Sequence, residues 1–256
     1  MDTQLFLRHA QTEEERLLGR RLMDLAELSS RRGRPVATAF LSPSEQAFAS
    51  LTLEQAKLPF YLDGGFMGAQ RKIAVVGACE REEWEEHLAA AIAITHPQPL
   101  THRDFLGAAM AAGIKRKVLG DILVGQQSTV MLVVREMAPY LIQNLDKAGR
   151  VPLTLREMEL SQITPPEQRF EAVRDTVASL RLDSLAASGF RLSREQAKEA
   201  VQRGLVQVNW RLETSPSASL SQGDTVSLRG KGKFLLAEVG GESRKGRVWV
   251  ELHRFV

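Results

Sequence analysis

The residues best suited to chemistry lie in RLSREQAKEAVQRGLVQVNW, residues 191–210, where Arg191, Arg194, Lys198 and Arg203 crowd around little apolar surface. Arg194, Lys198 and Gln202 are spaced i, i+4, i+8, so a helix would place them on one face with Arg203 beside it. A row of cations with an amide suits a polyanion, because guanidinium and ammonium groups neutralise phosphates. Downstream, SLRGKGKF (227–234) interleaves Arg229, Lys231 and Lys233 with glycines, whose small size lets backbone N–H groups approach phosphate oxygens. Arg244, Lys245 and Arg247 follow before the final residues.

The whole-chain charge agrees with that placement. From residue 181 onward thirteen Lys/Arg face eight Asp/Glu, so this part carries +5 of a total of +3 and leaves about −2 for residues 1–180. A polyanion partner is therefore expected for the C-terminal part.

Other chemistries find little support. Cys79 is the only cysteine, and His9, His87, His96, His102 and His253 lack ligand spacing, so no metal or other cofactor is expected. No Walker loop and no strand-borne GxGxxG is present. Arg181-Leu182-Asp183-Ser184 resembles the run in which pseudouridine synthases carry a nucleophilic aspartate, but Leu180 stands where they have glycine. The plainer role for Asp183 is a carboxylate at the positive end of a helix dipole. The longest apolar run, residues 88–95, is too short to span a bilayer, and the first residues lack a signal-peptide core. No membrane partner is expected; a cytoplasmic monomer is, or a stromal one in a plastid.

Ser193 and Gln196 form a capping box that starts a helix at Arg194, and Gly204 ends it. Ala197, Ala200 and Val201 make its inner stripe, and Leu205 to Asn209 alternate as a strand. Residues 179–190 read as a second short helix, residues 221–234 as a Gly223-Asp224 turn and strand, and 167–180 as a helix after Pro165-Pro166. Residues 2–32 read as helices, and 35–70 as a short strand and helix among turns. From 72 the chain alternates: strand 72–78, helix 80–88, strand 90–97, helix 102–113, hairpin 120–135, helix 137–149 stopped by Gly149, strand 151–160. That order resembles a ferredoxin-like or RNA-recognition-motif-like sandwich with one extra element.

The residues Arg181-Leu182-Asp183, Ser193-Arg194, Ala197, Gly204, Val206, Val208-Asn209, Gly223-Asp224 and Val226 together resemble the S4 RNA-binding domain. That resemblance implies two helices and a small bent sheet presenting Arg181, Ser193, Arg194, Lys198, Gln202 and Asn209 to structured RNA. LSPSEQ (41–46), DGGFMGAQRK (63–72), HRDFLGAAMAAGIKRKVLGDILV (102–124), NLDKAGR (144–150) and SLRGKGKF extend it, resembling the YlmH family of bacterial and plastid S4 proteins, called photosystem II S4 domain proteins in cyanobacteria. Phe66 and Gln70 depart from that family's tyrosine and acidic residue. The resemblance implies non-enzymatic binding of ribosomal RNA and tRNA on the large (50S) subunit, including subunits with a stalled peptidyl-tRNA. An RNA-modifying enzyme and a ribosome assembly factor stay open beside it.

The expectation is an α+β chain in three parts: a mainly helical segment 1–70, an RNA-recognition-motif-like domain 71–165 and an S4 domain 175–256. Arg181, Ser193, Arg194, Lys198, Gln202, Arg203, Asn209, Arg229, Lys231 and Lys233 are its candidate RNA ligands. His102, Arg103, Lys115, Arg116 and Lys117 form a second basic group.

Overall fold

A computed structural model describes residues 2–77, 88–164, 170–242 and 246–255. It mixes helices and strands as an α+β chain and divides into two compact units, Met1–Pro166 and Glu167–Val256.

The first unit opens with α1 (Thr3–Leu7) and α2 (Glu13–Arg32), the latter started by a Thr12–Glu15 capping box and stopped by Gly33 at φ +61°. β1 (Val36–Leu41), α3 (Pro43–Gln55), β2 (Phe60–Asp63) and β3 (Lys72–Val76) follow. Ser42 caps α3 by accepting the Glu45 N–H. β3 is the central strand of an antiparallel sheet ordered β1-β3-β2. An expected break between residues 70 and 71 therefore falls inside one sheet, and the segment before it supplies strands as well as helices. Periodicity identifies a strand but not its partners.

β4 (Ala89–Thr95), α4 (His102–Ala111), β5 (Leu119–Val124), β6 (Ser128–Val134), α5 (Ala138–Asn144) and β9 (Thr154–Met158) form the next layer, with β7 (Lys147–Ala148) and β8 (Val151–Pro152) between α5 and β9. The strand order β5-β6-β4-β9, antiparallel throughout, is that of a ferredoxin-like or RNA-recognition-motif-like sheet, with first and third strands central. It starts at β4, so the extra element is β3. The expected helix at 80–88 lies outside the described residues except for Leu88.

Two boundaries change. The helix expected over 137–149 ends at Asn144, and Gly149, at φ +60°, turns the β7–β8 hairpin instead of stopping a helix. The strand expected over 151–160 is thereby split, because Val151-Pro152 pairs back on Lys147-Ala148 before β9 begins.

The four-stranded sheet is covered on both faces. Ile92, Ile94, Met131 and Val133 pack with Phe105 and Leu141 of the helices. Ala89, Ala91 and Leu132, on the opposite face, pack with Phe40 and Ile73 of the three-stranded sheet. Small residues make this approach close: a Cβ on Gly120 would lie 2.8 Å from the Phe40 ring and 2.7 Å from Leu132 Cβ.

The second unit is built on a sheet ordered β10-β15-β14-β13-β11-β12, where β10 is Phe170–Val177, β11 Val206–Val208, β12 Arg211–Leu212, β13 Thr225–Leu228, β14 Gly232–Glu242 and β15 Val248–Phe255. The helix expected over 167–180 is corrected by β10, which pairs residue for residue with β15 from Phe170↔Phe255 to Val177↔Val248. Val173, Val177 and the β-branched Thr176 suit an outer strand, and the ladder to β15 decides against helical propensity. Two helices, α6 (Leu182–Phe190) and α7 (Arg194–Gln202), cover the sheet through Leu182, Leu185, Ala186, Ala197 and Val201, against Val226, Phe234, Val250 and Leu252.

Gly120→Ala forces Phe40 or β6 to move, so a loss of about 1–3 kcal/mol in urea denaturation is expected. Unchanged stability would contradict the close sheet-on-sheet contact.

Candidate nucleic-acid interface

The site begins where the N-termini of α6 and α7 meet. Ser193 Oγ accepts the Gln196 N–H at 3.1 Å, and Gln196 Oε1 accepts the Ser193 N–H at 3.0 Å, so the expected capping box fixes the start of α7. Arg181 is the N-cap residue of α6, and its strand-like backbone bridges Ser219. The next two N–H groups donate to carbonyls of the 216–218 segment, Leu182 to Ala218 and Asp183 to Pro216. Only Arg191, Leu192 and Ser193 separate the helices, with Arg191 left-handed at φ +54°.

Asp183 gathers this corner. Its side chain is only 4% exposed, yet Arg181 forks onto it, Nε to Oδ1 at 3.1 Å and Nη2 to Oδ2 at 3.0 Å, and Arg194 Nε lies 3.7 Å from Oδ2. Burial alone would raise the carboxyl pKa; the Arg181 hydrogen bonds, the two guanidinium charges and the Ser184 N–H outweigh it and hold the pKa below the ordinary carboxylate value. Both arginines stay about half exposed, so each keeps donors for a ligand. Sequence spacing placed Asp183 at a helix start but carried no sign that it would join Arg181 to a residue of the next helix.

Lys198 and Gln202 continue the row along α7, both exposed and without a side-chain hydrogen bond among the described residues. Arg203 is exposed too and reaches Glu199 at 3.4 Å, a helix-surface pair of small energetic consequence.

The remaining candidates divide. Asn209 donates from Nδ2 to Asp224 Oδ1 at 2.8 Å and accepts the Thr225 N–H at 2.9 Å. Its amide thereby ties the β11–β12 turn to the start of β13, while the residue stays exposed. Arg229 and Lys231 are exposed on the β13–β14 turn, where Gly230 and Gly232 take φ +81° and +91°. The N–H groups of Arg229 and Lys231 donate to Leu205 and Leu228 carbonyls. The glycines thus serve turn geometry, and these two residues offer side chains rather than a backbone phosphate cradle. Lys233 is half-buried, its Nζ 4.9 Å from the centre of the Phe255 ring.

Trp210, which the sequence offers either as a base-stacking residue or as a partly buried anchor beside a strand end, lies in an unusual turn. Asn209 and Trp210 form a two-residue β11–β12 turn with both φ positive, +48° and +62°. Such turns favour Asn-Gly, because a side chain on the second residue is strained. Trp210 nevertheless stands there, 37% exposed. Arg244 and Lys245 lie outside the described residues, and Arg247 bonds to Thr176.

Two short helices, a bent sheet and a cationic helix face define an S4-type RNA-binding module. Family models agree: an S4 domain matches residues 180–226, and a "Putative RNA-binding domain in YlmH" matches residues 81–162. The chain is 33% identical over 221 residues to the Ribosome-associated protein quality control protein P2 of Bacillus subtilis (strain 168), covering 85% of this chain and 86% of that protein. It belongs to the YlmH family of S4 proteins. It is also 23% identical over 180 residues to Small ribosomal subunit protein uS4 of Acidobacterium capsulatum, covering 68% of this chain and 79% of that one. The solved structure of Cell division protein ylmH from Streptococcus pneumoniae superposes with a TM-score of 0.52 at 18% identity, over 61% of this chain and 98% of that one, a likeness of fold.

Because the Asp183 pKa is depressed in the folded state, its contribution is complete above the unfolded carboxyl value and fades as pH falls through the folded one. Asp183→Ala should cost about 2 kcal/mol near neutral pH and flatten the acid limb of a stability–pH curve; an unaltered limb would remove Asp183 from its central place. Trp210→Gly should gain about 1 kcal/mol by relieving the left-handed residue, read as a raised denaturation midpoint.

Proposed function

We propose that this protein binds structured ribosomal RNA through the α7 face of its S4 module and works without catalysis. The observation that carries the reading is the pair Arg181 and Arg194, aimed by one buried carboxylate and continued by exposed Lys198 and Gln202. Guanidinium groups already fixed in place lose less side-chain freedom when they meet phosphate, which favours binding. Arg203, Arg229 and Lys231 extend the positive surface, while Ser193 and Asn209 shape it.

The large subunit, including one that retains a stalled peptidyl-tRNA, is the favoured target. Support comes from the relative whose name places it in ribosome-associated quality control. A monomer acting in the cytoplasm fits this reading. Among the described residues no helix is long and apolar enough to cross a membrane. An RNA-modifying enzyme using Asp183 fits less well, because the carboxylate is buried and both its oxygens are engaged by arginines.

Sucrose-gradient sedimentation of lysate tests the proposal. Co-migration with the large subunit is expected, and its loss in Arg194→Ala/Lys198→Ala, whose binding should show a salt slope lower by about two. Co-migration with the small subunit would redirect the reading toward the partner of the uS4 relative. A slope unchanged in a folded double variant would remove α7 as the RNA face. Tritium release from uridine-labelled RNA that disappears in Asp183→Ala would replace binding with catalysis.

A further inference from the structure

The four-stranded sheet of the first unit has the strand order of an RNA-recognition motif, a fold that binds RNA by stacking bases on its open sheet face. Here that face is closed. Ala89, Ala91 and Leu132 pack against Phe40 and Ile73, and Gly120 admits the Phe40 ring where any side chain would collide. RNA held by this unit must lie elsewhere.

One edge brings two arginines together on shared backbone carbonyls. Arg71, just before β3, donates Nε to the Leu119 carbonyl at 2.9 Å and Nη2 to the Phe40 carbonyl at 2.8 Å. Arg116, in the short turn before β5, donates Nη1 to the same Leu119 carbonyl at 2.9 Å and to Gly120 at 3.3 Å. Two guanidinium groups, both half-buried, thus converge on one oxygen. Desolvation first and mutual repulsion second lower the Arg71 pKa; desolvation lowers that of Arg116.

No carboxylate lies within ion-pair distance of either group among the described residues. Glu45 and Asp121 act on Arg71 from farther off, and Asp121 on Arg116; the Asp121 oxygens accept the backbone N–H groups of Gln70 at 2.6 Å and Arg71 at 3.0 Å, and Glu45 accepts the Ser42 N–H. Lys115 and Lys117 flank Arg116 in the chain and are exposed. A pair of cations held together in a partly dry site attracts an anion strongly, and each guanidinium keeps N–H donors that no carbonyl uses. His102 and Arg103, at the far end of α4, are not brought to this edge.

We propose that the first unit binds the phosphate backbone of RNA at this β5 edge, on Arg71, Lys115, Arg116 and Lys117, and not on its sheet face. The assignment deepens the RNA-binding reading and rests on it. Phosphate contacts of this kind fix orientation without reading sequence. They would hold a second stretch of the same structured RNA whose other contacts fall to the S4 module.

The test uses the full chain and a fluorescein-labelled RNA stem-loop, with affinity followed by anisotropy across a potassium chloride series. In the Arg194→Ala/Lys198→Ala background, salt-dependent binding should persist. Adding Lys115→Ala/Lys117→Ala should lower the remaining slope by about two with an unchanged thermal midpoint, because neither lysine side chain makes a hydrogen bond or ion pair among the described residues. Arg116→Gln should lower it by about one, with circular dichroism reporting whether the fold survives. A remaining slope that ignores the lysine pair in folded protein overturns this assignment. In that case the slope difference between wild type and Arg194→Ala/Lys198→Ala still decides the S4 reading separately. Absence of any salt-dependent binding in the Arg194→Ala/Lys198→Ala background likewise overturns the β5 edge while supporting the S4 face.

Discussion

The burial of Asp183 between Arg181 and Arg194 is the constraint on which the S4 corner depends. A carboxylate removed from water is costly unless opposite charge and hydrogen bonds meet it, and here both come from two of the proposed RNA ligands. Arg181 belongs to the start of α6 and Arg194 to the start of α7, so one acid ties the two helix N-termini together. It also aims both guanidinium groups. One negative charge against two positive ones leaves the corner cationic, and that surplus is what a phosphate backbone requires.

The same logic sorts the other cations of the second unit. Arg191 and Arg254 both reach Glu171 on β10, and Arg174 bonds to Glu251 on β15 at 2.8 Å. These charges tie the sheet's outer strand to its surroundings. Lys198 of α7 and the turn residues Arg229 and Lys231 have no such partner among the described residues. The basic excess of the C-terminal part is thus divided by position: charges beside the outer strands hold the fold, whereas Lys198, Arg229 and Lys231 are unpaired among the described residues. A count of lysines and arginines carries no trace of this division, because pairing is set by strand neighbours distant in the chain.

Local signals were legible and remote ones were not. Ser193 and Gln196 mark a helix start within three residues, and Gly204 a stop, so α7 and its cationic row follow from the sequence alone. FEAVRDTV offers no comparable punctuation, and it becomes β10 only because β15, some eighty residues later, supplies eight consecutive partners. Asn209 shows the limit for the site itself. Its place after Val208 is legible, but the bond of its amide to Asp224 depends on a turn fifteen residues away. The opposite holds for Asp183, whose helix-start position was readable while its two arginine partners were settled by the packing of one helix on another.

The first unit makes a related point about fold and function. An RNA-recognition-like strand order invites the expectation of an open, base-stacking sheet, yet a strand order does not say which face is dry. The sequence of β4, AAAIAIT, does carry that information. An antiparallel strand with one face in water alternates apolar and polar residues, whereas this strand alternates alanine with larger apolar residues. The isoleucines Ile92 and Ile94 meet the helices, and the alanines Ala89 and Ala91 let a second sheet come close. Continuous apolar character over the six residues Ala89 to Ile94 therefore means that both faces are covered, and it moves any polar ligand of this unit to the sheet's edges and loops. The cations there, Arg71 and Arg116, stand where backbone carbonyls of β1 and β5 are free to hold them, which only the edge of a packed layer provides.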